Sequence, residues 1–126
     1  MKNYLFALSL PLMLAACGGD DGAKKTADGS DAVARCAACH SFEKDGPKRS
    51  GPNLHGILGQ PAGTKKGFTY SKAMKDSGIT WSAETLDAFI AEPNKAVPGN
   101  RMGFPGESDA AKRQAIIAYM QKNAAS

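Results

Sequence analysis

The chain has 126 residues, 42% apolar and only 7% aromatic, with 16 Lys+Arg against 12 Asp+Glu and a formal charge of +4. That length fits one domain and excludes a multi-domain enzyme, while an odd count of three cysteines excludes a disulfide-stapled mini-protein. The charge is too modest and scattered for a nucleic-acid binder, and 14 Gly with 7 Pro predict many loops around a core too thin to be completed by side chains alone.

Lys2 precedes an apolar run from Tyr4 to Ala16 that Pro11 interrupts. As a helix this run reaches ~20 Å at ~1.5 Å per residue, short of a ~30 Å hydrocarbon core. It therefore predicts a secretory signal rather than a membrane span. The run ends Leu14-Ala15-Ala16-Cys17, which resembles the bacterial lipobox, whose cysteine is acylated and becomes the first mature residue. Cys17 is the expected lipidation site, and acylation accounts for an unpaired thiol in an oxidising compartment. The alternative is an ordinary signal or uncleaved anchor with an incidental thiol. Residues 18–29 show no apolar periodicity and predict a flexible tether averaging ~20 Å. The expected organisation is a lipoprotein signal peptide over 1–16, a lipid-anchored tether over 17–29 and a folded domain over 30–126, on the periplasmic side of a bacterial membrane. Residues 31–126 hold 13 basic and 9 acidic side chains, so the positive charge belongs to the folded domain.

A first helix is predicted from about Asp28 or Ser30 into Cys36-Ala37-Ala38-Cys39-His40. Near a helix end, two cysteines three apart face one side and the histidine the adjacent one. That arrangement suits covalent haem attachment through two thioethers, with His40 on the iron. A dithiol redox site would need a βαβ context that the sequence lacks. A zinc site would need four ligands, and Cys39 and His40 are adjacent, awkward for one tetrahedron with Cys36 and His55. A local disulfide would add little by loop closure.

A long loop is predicted over 41–69. Ser71 is placed to cap a short helix to about Asp76, and Ser82 a second to about Ala91 with Glu84 in its first turn. A last helix runs from about Ser108 to Lys122, with Ile116, Tyr119 and Met120 on its apolar face. No strand alternation is visible, so the fold class is all-α. A second axial ligand has His55 and the methionines as candidates. Met102 stands apart, in a helix-free stretch from Val97 to Gly106 with two prolines and three glycines. Such a loop can hold a thioether against a haem face, and a soft thioether suits iron that cycles one electron.

From about residue 28 to the end, the chain resembles a class I cytochrome c of the mitochondrial and medium bacterial type. Six blocks in order carry the resemblance: Cys36–His40, Gly51-Pro52-Asn53-Leu54-His55-Gly56, Gly67–Ser71, Gly78–Trp81, Pro98–Met102 and Ile116–Met120. The resemblance implies a small all-α fold around one haem c, covalent through Cys36 and Cys39, with His40 and Met102 as iron ligands. It implies that Pro52 accepts a hydrogen bond from the proximal imidazole. Tyr70 and Trp81 would bond a buried propionate, Asn100 would serve the propionate and the methionine loop, and Phe104 would cover the haem edge. His55 becomes a surface residue. Departures are Phe89 for a frequent Tyr, Gln60 for a frequent Arg, and Asp28 and Ala32 for the glycine and aromatic that usually meet the last helix, which predicts a weaker or altered contact there.

The implied function is outer-sphere electron transfer by a monomer, with no nucleic acid involved. The donor would be a quinol-oxidising cytochrome bc complex and the acceptor a terminal oxidase or photosynthetic reaction centre. Lys44, Lys48, Arg49, Lys65, Lys66, Lys72, Lys75, Lys95 and Arg101 are the expected basic rim, although Lys72 and Lys75 also read as the solvated face of a short helix. The alternatives are a haem peroxidase or gas sensor with a dissociable Met102, or a fixed oxidase subunit.

Overall fold

The computed structural model describes residues 27–126; the expected signal peptide over 1–16, Cys17 and most of the expected tether lie outside them. Four α-helices follow two 3₁₀ turns: α1 Lys72–Lys75, α2 Ala83–Ala91, α3 Pro93–Ala96 and α4 Ala110–Ala124. Among the described residues β-structure is confined to one antiparallel bridge, Pro61 with Thr80. The small all-α fold is as expected, and the stretch 41–69 contains no helix.

The caps explain where the helices begin. Ser71 Oγ accepts from the Met74 amide at 3.1 Å. Ser82 Oγ accepts from the Thr85 amide at 3.1 Å while Thr85 Oγ1 accepts from the Ser82 amide at 2.8 Å, a reciprocal capping box. The last helix starts two residues later than Ser108, because Asp109 Oδ1 takes the amides of Ala111 and Lys112. The short α3 was not expected; Pro93 at its first position supplies a fixed φ and lacks the amide that would go unbonded there.

The first helix is not the continuous α-helix expected. It is two 3₁₀ turns, Ser30–Val33 and Cys36–Ala38, with Ala34 and Arg35 still at helical angles. Three-residue turns eclipse side chains at i and i+3. Val33, 2% exposed, therefore enters the core, while Ala32 only packs against its edge. Gly29, rather than Asp28, faces the Tyr119 ring. The aromatic contact missing at Ala32 is met from elsewhere: Phe42 meets Tyr119 edge-to-face at 5.5 Å, and Asn123 Nδ2 donates to the Phe42 carbonyl at 2.8 Å.

One apolar cluster unites the turns and helices. Val33, Phe42, Leu86, Phe89, Ile116, Ile117 and Met120 are among its buried members. α4 packs on both α2 and the first 3₁₀ turn. Arg113 fastens this arrangement. Its guanidinium pairs with Asp87 of α2 at 2.8 Å and donates to the carbonyls of Glu107 and Ser108. No helix among the described residues is long and apolar enough to cross a membrane.

Candidate functional site

The Cys36–His40 turn is closed by two backbone bonds to the Cys36 carbonyl, from Cys39 N at 3.0 Å and His40 N at 2.9 Å. Cys36 is half-buried, Cys39 is exposed, and neither is in a disulfide. Burial pushes the Cys36 thiol up. A second segment, residues 49–54, runs alongside and fixes the turn. Gly51 N donates to the Cys39 carbonyl at 2.8 Å, Leu54 N to the Ser41 carbonyl at 2.8 Å, and Arg49 Nη1 to the Ala37 carbonyl at 2.9 Å.

That segment also sets the histidine. His40 Nδ1 lies 2.8 Å from the Pro52 carbonyl oxygen. A carbonyl only accepts, so Nδ1 carries the proton and Nε2 keeps its lone pair. Burial lowers the imidazole pKa, opposed by the Pro52 bond, which favours the neutral ring that metal ligation needs. Gly51 passes directly against the ring: a Cβ there would stand 2.5 Å from Cε1 and 2.7 Å from Nδ1. Only a residue without a side chain fits. Behind this pair, buried Asn53 donates to Ser41 Oγ at 2.8 Å and to the Glu43 carbonyl at 2.9 Å. Its Oδ1 accepts the His55 amide.

Met102 is half-buried and packs against the apolar cluster that also receives Cys36 and Tyr70 and contains Trp81. Asn100 organises its loop. The side chain donates to the carbonyls of Pro93 and Val97, at 3.0 Å and 2.9 Å, and its Oδ1 accepts the Met102 amide at 2.9 Å. Gly106, at φ 114°, lets the chain pass α2 where a Cβ would meet the Ala91 carbonyl oxygen at 2.2 Å. Phe104 lies under the Arg35 guanidinium, 5.0 Å from ring centroid to Cζ, and Arg35 Nη1 is 3.3 Å from Glu107 Oε2. The Arg35 side chain is 64% exposed and that of Glu107 12%. The clasp joins the first turns to the methionine loop.

A cavity of about 990 Å³ opens between the 44–48 loop, the 53–70 loop and Trp81. Tyr70 and Trp81 line it; neither His40 nor Met102 does. Trp81 stacks at a tilt on Phe89, 5.2 Å between centroids, and Phe68 meets Tyr70 edge-on at 5.0 Å. Trp81 is placed there by main-chain bonds, its amide to the Gln60 carbonyl at 2.9 Å and its carbonyl from the Gly59 amide at 2.7 Å. Burial raises the Tyr70 phenol pKa, opposed by a backbone hydrogen bond from Lys65.

His55 lines the same cavity, its Nδ1 turned to the Phe42 carbonyl at 3.2 Å. Among the described residues no three His, Cys, Asp or Glu side chains converge as a metal-ion site. A single imidazole with a free Nε2, two unpaired thiols on one turn and a tethered thioether form a donor set that fits haem c and does not fit a zinc tetrahedron. Several residues that build this site were not singled out from sequence: Gly51, Asn53, Arg35 and Glu107. Gly51 and Asn53 flank Pro52, the one signal that pointed to their segment.

A family profile described as cytochrome c matches residues 26–124. A cytochrome c homolog of Bradyrhizobium diazoefficiens is 46% identical over 93 residues, 73% of this chain and 50% of that protein, so the chain spans about half of that relative's length. A cytochrome c2 of Blastochloris viridis is 36% identical over 122 residues, 97% of this chain and 94% of that one. The solved structure of cytochrome cH from Methylobacterium extorquens superposes with a TM-score of 0.69 and 46% identity, covering 76% of this chain and 96% of its own.

Proposed function

Because this chain belongs to the cytochrome c family, and is thereby a small electron carrier with covalently bound haem c and its iron, we propose that it is a lipid-anchored shuttle between redox complexes of a bacterial membrane. Cys36 and Cys39 would hold haem c through thioethers, and His40 Nε2 and the Met102 sulfur would hold its iron. Haem c supplies a one-electron ferric/ferrous couple when bound. The residues of this chain supply its rigidity. The observation that carries the reading is that both ligands are held by second residues: His40 Nδ1 by the Pro52 carbonyl at 2.8 Å, and the Met102 amide by Asn100 Oδ1 at 2.9 Å. Ligands fixed in this way would leave no open position on the iron, which supports electron transfer without substrate turnover. Trp81, Tyr70 and Phe104 would help to enclose the group, and a methionine ligand with burial would favour the reduced form.

Partner choice is electrostatic. Lys44, Lys48, Lys66, Lys75 and Arg101 stand exposed with no carboxylate in ion-pair distance among the described residues. Lys72 and Lys95 are engaged by Asp76 and Glu92 on the surface, and Arg49 by the Ala37 carbonyl. A rim of this sign steers encounter with acidic docking patches, less so at high salt. A quinol-oxidising cytochrome bc complex as donor and a terminal oxidase or reaction centre as acceptor fit that role. The signal over 1–16, Cys17 as lipid carrier and the tether over 17–29 place the domain on the periplasmic face and raise its concentration near those complexes. Changing Cys17 to Ser should release the haem protein from membranes or trap an uncleaved precursor. A cleaved Cys17→Ser form that still sediments with membranes would overturn the anchor.

A further inference from the structure

Four lysines, Lys44, Lys48, Lys65 and Lys66, line the large cavity against one carboxylate, Asp45; His55, Tyr70 and Trp81 complete its chemically distinctive wall. Lys44, Lys48 and Lys66 are exposed, whereas Lys65 is half-buried. Its Nζ donates to the His55 carbonyl, and no carboxylate of the described residues lies in ion-pair distance. A carbonyl carries no net charge, so this ammonium has no counter-charge among the described residues. Lys65 and Tyr70 line the same wall. Gln60, the nearby side chain of similar reach, is neutral and exposed.

Haem carries its two propionates on the side of the ring away from its thioether links. No residue of the Cys36–His40 turn lines this cavity, whereas Tyr70 and Trp81, the residues expected to bond a propionate, do. A carboxylate removed from water needs a cation or several donors. We infer that Lys65 is the cation that compensates a haem propionate in this chain, set beside the Tyr70 phenol and the Trp81 ring. The inference rests on the haem assignment above and adds to it a residue that tunes the couple. A positive charge near the iron disfavours the ferric state, which carries one more positive charge than the ferrous. A partly buried charge acts through a lower dielectric than an exposed one and is screened less by salt.

The test is potentiometric titration of the holoprotein at one pH, in low salt and in ~1 M salt, where the Debye length is ~3 Å. Lys65→Met should lower the midpoint potential in both salts. Lys66→Met, which removes an exposed charge from the same wall, should give a smaller shift that disappears in high salt. Gln60→Arg added to Lys65→Met should restore the potential, and Lys65→Arg should keep it. A purely structural role through the His55 carbonyl would show in stability and would not be rescued from position 60. A Lys65→Met shift that vanishes in high salt or only matches that of Lys66→Met overturns the inference, as does failure of the Gln60→Arg rescue. The wild-type pyridine haemochrome spectrum tests the haem assignment by itself: with covalent haem present and no salt-resistant shift, the Lys65 role alone falls.

Discussion

The His40 ring is fixed from two directions, by a carbonyl that takes its Nδ1 proton and by a glycine that leaves it room. Gly51→Ala would put a methyl carbon 2.5 Å from Cε1, and the imidazole or the 49–54 segment would have to move. Overpacking of this kind costs about 1–3 kcal/mol. Denaturant unfolding of the haem protein should show a loss of that size with an unchanged slope, and an unaltered midpoint would contradict the close approach. Residues expected to bear chemistry stand out where their types and spacing are rare, as at Cys36, Cys39, His40 and Met102. Ser41, Gly51 and Asn53 do not. Their value lies in what stands next to them in space, and a glycine needed for closeness looks in sequence like a glycine needed for a turn. Asn100 was legible in part: the structure sets its side chain on the Val97 carbonyl and the Met102 amide of the methionine loop and on the Pro93 carbonyl of α3.

At the level of elements, caps were the readable signals. Ser71 and Ser82 start the helices they were expected to start, and Pro93 marks one that periodicity is too short to reveal. The first turns differ from the continuous helix expected, because the backbone bonds as two 3₁₀ turns. Val33 fills the core there, and Ala32, at the position where the family resemblance has an aromatic, packs at its edge. The clasp between the first turns and the methionine loop was not legible either, since Arg35 and Glu107 are 72 residues apart. It predicts an effect on the loop. Arg35→Gln removes a cation over the Phe104 ring, worth about 0.5–1 kcal/mol at an exposed site, and leaves the largely buried Glu107 carboxylate with the Asp109 amide but without the Arg35 cation. A loss near 1 kcal/mol corresponds to roughly fivefold. The ferric variant should bind added imidazole or cyanide about that much more readily than the wild type. Equal binding would show that the loop does not depend on the clasp.

For the molecule as a whole, the thin core has a resolution in the family. The apolar cluster that the helices build also receives Cys36, Tyr70 and Met102, and haem c would complete it. Net charge was legible only as a sum. The structure divides it into exposed lysines, lysines engaged with Asp76 and Glu92, and one half-buried lysine beside the cavity. A closed iron is the claim on which the carrier role depends, and it makes a plain demand of the reduced protein. The decisive measurement is a redox titration followed by absorption spectroscopy, with carbon monoxide admitted at the reduced end point. The expected result is a single reversible one-electron transition of covalently held, low-spin haem, with a reduced spectrum that carbon monoxide leaves unchanged. A rapid shift of the Soret band under carbon monoxide would show an iron open to ligands and would contradict a carrier with His40 and Met102 both in place.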